Sequence, residues 1–128
     1  MGTEAQIEYW ETSATHDWET ALSLYQSGKY DWCLFIAHLV LEKRLKAAYI
    51  KKTQLPAPFS HQLHLLAKQA NISLSVEQEE FLRKVNEFNI EARYPDHKLS
   101  FYKLCTAKFA KEYLSKIEDF IKWLPNNI

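Results

Sequence analysis

An all-α fold, an up-and-down bundle of four to five helices built as one domain over residues 1–128, is predicted by three features of the sequence. The 128 residues include only two glycines and four prolines, which leaves little material for tight hairpins. Good helix formers (Leu, Ala, Lys, Glu and Gln) are abundant. Apolar residues recur at steps of three and four along most of the chain, the period of an amphipathic helix. A chain of this length is enough for one hydrophobic core and not for two.

The first helix is expected over Glu4 to Gln26, where Ile7, Trp10, Ala14, Trp18, Ala21 and Tyr25 form one stripe. Gly28 can take the positive φ that follows a helix, and Tyr30 then opens a second helix to about Lys52, so the two should form an antiparallel hairpin. Nine of the ten residues Trp32 to Leu41 are apolar, with His38 the interruption. A helix that is apolar all round is buried all round. A homodimer is therefore expected, with Trp32, Phe35, Ile36 and Leu39 at the interface; the plainer reading makes this the central helix of the bundle. Pro56 and Pro58 mark a loop, after which His61 to Ala70 is weakly helical. Ser75-x-x-Gln78 has the form of a capping box and starts a helix carrying Phe81, Val85, Phe88 and Ala92 inward until Pro95. A last helix is expected from Phe101 to Leu124.

The 16 basic and 16 acidic residues balance, which argues against a wholly basic nucleic-acid wrapper and against an acidic disordered chain. The two cysteines lie far apart and make neither a disulfide framework nor a zinc ribbon. No apolar run approaches a membrane span, and the start of the chain lacks the features of a signal peptide, so a cytoplasmic protein with reduced thiols and no membrane association is expected. The charges are uneven in position. Residues 1–31 hold six acids against Lys29, whereas residues 43–76 hold six bases and no acid. Lys43 and Lys46, with their neighbours, are thus candidates for an electrostatic footprint on phosphate, unless they only complement the end of their helix.

His61-x-x-His64 would place two imidazoles on one helical face, but no further ligand stands at a recognisable spacing, so no metal and no cofactor is expected. Nucleophile elbows, Walker loops and dinucleotide fingerprints are absent from the sequence. What remains is Glu91-Ala92-Arg93-Tyr94-Pro95-Asp96-His97, which crowds a guanidinium, a phenol, a carboxylate and an imidazole into a proline-broken helix end. Arg93 offers a planar fork for phosphate and His97 can move a proton near neutral pH, the two groups that metal-independent RNA cleavage needs. In the plainer reading Arg93 pairs with an acid or caps helix-end carbonyls, Tyr94 packs, and Asp96 caps the next turn. His61 and Glu42 are secondary candidates, read more plainly as a helix-start cap and a surface ion pair to Lys46.

The Gly28-Lys29-Tyr30-Asp31 turn, the segment Ala37 to Lys46 with Glu42-Lys43, the proline loop leading to His61, and above all Ala92-Arg93-Tyr94-Pro95-Asp96 resemble the HEPN family (higher eukaryotes and prokaryotes nucleotide-binding). The resemblance spans nearly the whole chain and implies a dimerising helical bundle. Its ribonuclease members carry Arg followed after four to six residues by His, whereas three residues separate Arg93 from His97. The A-R-Y-P-D branch implies nucleotide binding and a minimal nucleotidyltransferase partner in toxin–antitoxin-like pairs. The function implied is a dimeric module binding nucleotide or RNA phosphate through Arg93, Tyr94, Asp96, Lys43 and Lys46. The alternatives are a metal-independent ribonuclease using Arg93 and His97, and a purely structural dimerisation module.

Overall fold

The computed structural model describes residues 2–128, apart from the side chains of residues 95–98. Six α-helices follow one another: α1 (Thr3–Gln26), α2 (Tyr30–Thr53), α3 (Leu63–Gln69), α4 (Val76–Glu91), α5 (Pro95–Leu104) and α6 (Ala107–Trp123), closed by a 3-10 turn over Leu124–Asn127. No strand occurs among the described residues. The all-helical bundle is as predicted, with one helix more than the upper estimate.

Local chemistry sets the boundaries. At the end of α1, Gly28 adopts φ 80°, its N–H donates to the Tyr25 carbonyl at 3.1 Å, and the Lys29 N–H donates to that of Leu24 at 2.9 Å. These two bonds complete a left-handed helix stop that turns the chain back on itself. Asn71 does the same after α3 at φ 56°, with Ile72 donating to Ala67 at 3.0 Å. Ser75 accepts from the Gln78 N–H at 3.0 Å while the Gln78 side chain accepts from the Ser75 N–H at 2.9 Å, the reciprocal cap expected from the sequence. The expected last helix is instead two, broken at Cys105-Thr106, where the Thr106 hydroxyl accepts from the Phe109 N–H at 3.1 Å and starts α6.

The core is organised around α2, which contacts each of the other five helices. Cys33, Leu34, Ala37, Val40 and Leu41 are completely buried within the single chain. The bundle itself therefore accounts for most of the apolar run, as the plainer reading had it. Trp32 stays exposed, and Phe35, Ile36 and Leu39 are half-buried. On the opposite side Phe88 gathers the rings of Phe101, Phe109 and Tyr113 within 5.1 to 6.2 Å, tying α4 to α5 and α6.

The hairpin of α1 and α2 explains the uneven charge. Running antiparallel, it sets the acidic helix against the basic half of the next: Lys43 pairs with Asp17 at 2.6 Å and donates to Ser13 at 2.7 Å, and Lys51 pairs with Glu11 at 2.5 Å. Arg44 donates to the Thr15 hydroxyl at 3.1 Å, and Lys52 to the Asn71 carbonyl at 3.0 Å. Beyond the two readings of the basic run, Lys51 and Lys52 do stand in the last turn of α2, and the pairing with α1 adds an internal neutralisation.

Candidate functional site

One ridge of α2 carries Phe35, His38, Glu42 and Lys46, spaced by three and four residues, so that their side chains stack along one side of the helix. Three of the four are polar and all three are buried: His38 at 0% exposure, Glu42 at 5% and Lys46 at 5%. The Lys46 ammonium lies 3.3 Å from Glu42 Oε2 and 5.0 Å from the centre of the Trp10 ring, which adds a cation–π contact from α1. The pair foreseen between Glu42 and Lys46 is thus present, but inside the fold rather than on its surface.

The other Glu42 oxygen meets His61. Nδ1 of the imidazole stands 2.9 Å from Glu42 Oε1, although 71% of the His61 side chain is exposed. His61 precedes α3 and does not cap it; the first N–H of α3, that of Leu63, donates instead to Asn86 Oδ1 of α4 at 2.9 Å. His64 lies on α3, where burial, ahead of the nearby Arg83, pushes its pKa down. No group of three or more His, Cys, Asp or Glu among the described residues could hold a metal ion.

Arg93 follows α4 directly. Its Nε donates to the Asn89 carbonyl at 2.9 Å and one terminal nitrogen donates to Asn89 Oδ1 at 2.8 Å, so the guanidinium is oriented by the last turn of α4. It lies 5.3 Å from the Phe35 ring and 5.5 Å from that of Tyr94. The helix-end contact of the plainer reading is there, while Tyr94 stays 52% exposed and does not pack away. Asp96 and His97, predicted as partners of Arg93, lie outside the described side chains.

His38 lies between Phe35 and Glu42 on the same ridge of α2. Neither of its ring nitrogens has a hydrogen-bond partner among the described residues. Burial holds its pKa down at about 4; Glu42 and the His61 main chain favour the charged ring, while the charges of His61 and Arg93 oppose it. Arg93, His61 and Glu42 therefore all bear on one buried imidazole. In the sequence His38 shows only as the interruption of an apolar run, and a lone polar residue in such a run is itself the signal. Burial also pushes the thiols of Cys33 and Cys105 up to about 12, so neither is a nucleophile near neutral pH.

Lys43 and Lys46, predicted as phosphate contacts, are engaged by Asp17 and Glu42 respectively, and among the described members of that set Arg93 and Tyr94 adjoin each other. A groove of about 910 Å³ between α4 and α6, with Phe81, Tyr113, Phe120 and Trp123 along it, shares no residue with this site.

A family model described as HEPN domain matches residues 7–127. The chain belongs to the HEPN domain family. This HEPN domain is also similar to a solved structure, that of TT1696 from Thermus thermophilus, with a TM-score of 0.81 and 18% identity over 96% of this chain and 98% of that one. At that identity the likeness shows the fold. No curated protein matches this HEPN domain. No helix among its described residues is long and apolar enough to cross a membrane.

Proposed function

We propose that this HEPN domain acts as a homodimer that recognises the phosphate of a nucleotide or RNA at Arg93 and that works with a minimal nucleotidyltransferase partner in a toxin–antitoxin-like pair. The observation that carries the reading is the posture of Arg93. A guanidinium fixed on one edge by Asn89 and backed by the Phe35 ring has lost its rotational freedom before any ligand arrives, which lowers the entropic penalty of gripping an anion. Tyr94, exposed beside it, offers a ring for a base to stack on. Asp96 and His97 complete the segment as the polar groups nearest in sequence. Lys43 and Lys46, tied to Asp17 and Glu42, contribute to the local field and not as direct ligands.

The test is binding in EDTA of a fluorescent single-stranded RNA and of ATP, followed by anisotropy. Charge-assisted contacts are each worth about 1.5–3 kcal/mol, so Arg93→Ala should weaken binding by roughly ten- to a hundredfold. The wild-type affinity should fall as salt rises, because phosphate contacts release counterions. Equal affinity of wild type and Arg93→Ala would end the reading.

A further inference from the structure

The loop between α2 and α3 leaves Phe59 fully exposed, with Leu55 exposed four residues earlier. A phenyl ring left wholly in water forgoes the free energy that its burial would return. The loop also has a fixed shape. Pro56 and Pro58 set φ on either side of Ala57. Hydroxyls tie both ends: the Leu55 N–H donates to that of Thr53 at 3.1 Å, and the Gln62 N–H to that of Ser60 at 3.2 Å. Gln54 turns the chain out of α2 at φ 61°, and just past the loop His61 is anchored 2.9 Å from the buried Glu42. A segment held in this way loses little freedom when something meets it.

The groove between α4 and α6 has the complementary chemistry. Its floor is aromatic: Phe81 stacks on Tyr113 with 11° between the planes, and Phe120 stands 6.3 Å from Phe81 and 5.3 Å from Trp123 between ring centres. Grooves lined by such rings receive proline-rich segments, because an extended chain already stiffened by proline has little entropy left to lose. The rim is acidic in effect. Lys84 pairs with Glu87 at 3.3 Å and Lys116 with Glu112 at 3.0 Å, so both lysines of the groove are already matched. Glu77, Glu80 and Asp119 have no ion pair among the described residues. The loop lies within residues 43–76, which hold six bases and no acid. Of the two lysines leading into it, Lys51 is matched by Glu11, whereas Lys52 donates to the neutral Asn71 carbonyl and keeps its charge.

We propose that the α2–α3 loop of one copy docks in the α4–α6 groove of a second copy, with Phe59 entering among Phe81, Tyr113, Phe120 and Trp123 and Lys52 meeting the acidic rim. Within one chain Phe59 makes no such contact, since it is fully exposed. Loop and groove are different surfaces, so the contact is heterologous. It is also small, below the area of a standard interface, and therefore weak and reversible. Neither surface includes Arg93, Phe35 or the exposed side chains of α2, so this docking stands or falls independently of phosphate recognition and of any pairing through α2. The Glu42–His61 contact then has a structural task, which is to hold the far end of the loop.

The test titrates a fluorescein-labelled peptide of residues 51–62 into the full chain, read by anisotropy and by the indole N–H signal of Trp123 in ¹H–¹⁵N spectra. Binding should saturate and move that signal. A peptide carrying Phe59→Ser should bind roughly ten- to a hundredfold more weakly, the loss expected when one buried phenyl ring is removed. Glu77→Lys combined with Glu80→Lys, both at exposed positions and so compatible with the fold, should weaken binding of the unaltered peptide severalfold at low salt and less at high salt. Without peptide, sedimentation at about 1 mM should show the wild-type chain heavier than at micromolar concentration, a difference that Phe59→Ser in the full chain should abolish. A mass independent of concentration overturns the proposal, as does a Trp123 signal that stays still or a Phe59→Ser peptide that binds equally well. An unrelated proline-rich peptide of the same charge, without an aromatic residue, that binds as tightly as the chain's own loop also overturns it and makes the groove a seat for a foreign partner.

Discussion

His38 couples the stability of the fold to pH. Its ring is buried with both nitrogens unpartnered among the described residues, and burial is the first cause of a pKa of about 4 in place of the ordinary 6.5. Between those two values the unfolded chain binds a proton that the folded chain refuses, so stability is full above the unfolded value and falls as pH drops toward the folded one. By pH 5 the loss from this group is about 2 kcal/mol, on the order of the whole effect of a damaging substitution. Urea midpoints at pH 7 and pH 5 measure it. His38→Leu, which removes the titrating ring and its unsatisfied nitrogens, should flatten that dependence; a variant with the same acid sensitivity as the wild type would exclude His38 as its source. The sequence disclosed Arg93 through its neighbours Tyr94 and Pro95. It did not disclose the Glu42–His61 contact, because nothing local marks two residues brought together by the return of α3 onto α2.

Caps decide where α4 and α6 begin, and only one of the two was legible. Ser75 and Gln78 stand at the spacing of a reciprocal cap, followed by acids in the first turn, so the start of α4 follows from sequence. Thr106 has no such companion. No glycine or proline interrupts Phe101 to Leu114, and the apolar spacing of Leu104, Ala107, Ala110 and Leu114 runs through the break without a change of period. One long helix is the natural inference there, yet a single hydroxyl accepting from Phe109 suffices to restart the helix. If these hydroxyls are what fixes the two starts, Ser75→Ala and Thr106→Ala should each lower the free energy of unfolding by about 1 kcal/mol, and Ser75→Gly by only a few tenths. Chemical denaturation checks this, and equal losses for Ala and Gly at position 75 would show that the hydroxyl is not the agent. The partners of the basic run of α2 were illegible for a related reason: Asp17 and Lys43 are distant in sequence but adjacent in a hairpin, and patterning along one dimension does not register partners on a neighbouring helix.

At the scale of the whole molecule, exposed apolar side chains are spread over the described residues, from Tyr9 and Leu22 on α1 to Phe59 and Val76, and they include side chains on α2 and α5. Trp32 of α2 is 37% exposed, with Phe35, Ile36 and Leu39 half-buried beside it, and α5 shows Leu99 and Tyr102 at 63% and 62%. α5 contacts α2. An exposed apolar patch of this kind is most simply covered by the same patch of a second copy, since a two-fold axis makes any surface its own partner. Arg93 rests on Phe35, at the margin of that patch, so pairing of the patches would bring two Arg93 side chains toward one shared anion-binding region. Light scattering at micromolar concentration should then give about twice the 15.1 kDa of one chain. Ile36→Glu combined with Leu39→Glu would set like charges against each other across the axis and should yield a folded monomer, verified by unchanged helical circular dichroism. The same variant leaves Arg93 and Asn89 in place, so it separates assembly from local posture. RNA binding that weakens in the monomer means that the site is completed by both copies, whereas a wild-type chain that scatters as a monomer removes the dimer and with it any convergence of the two arginines.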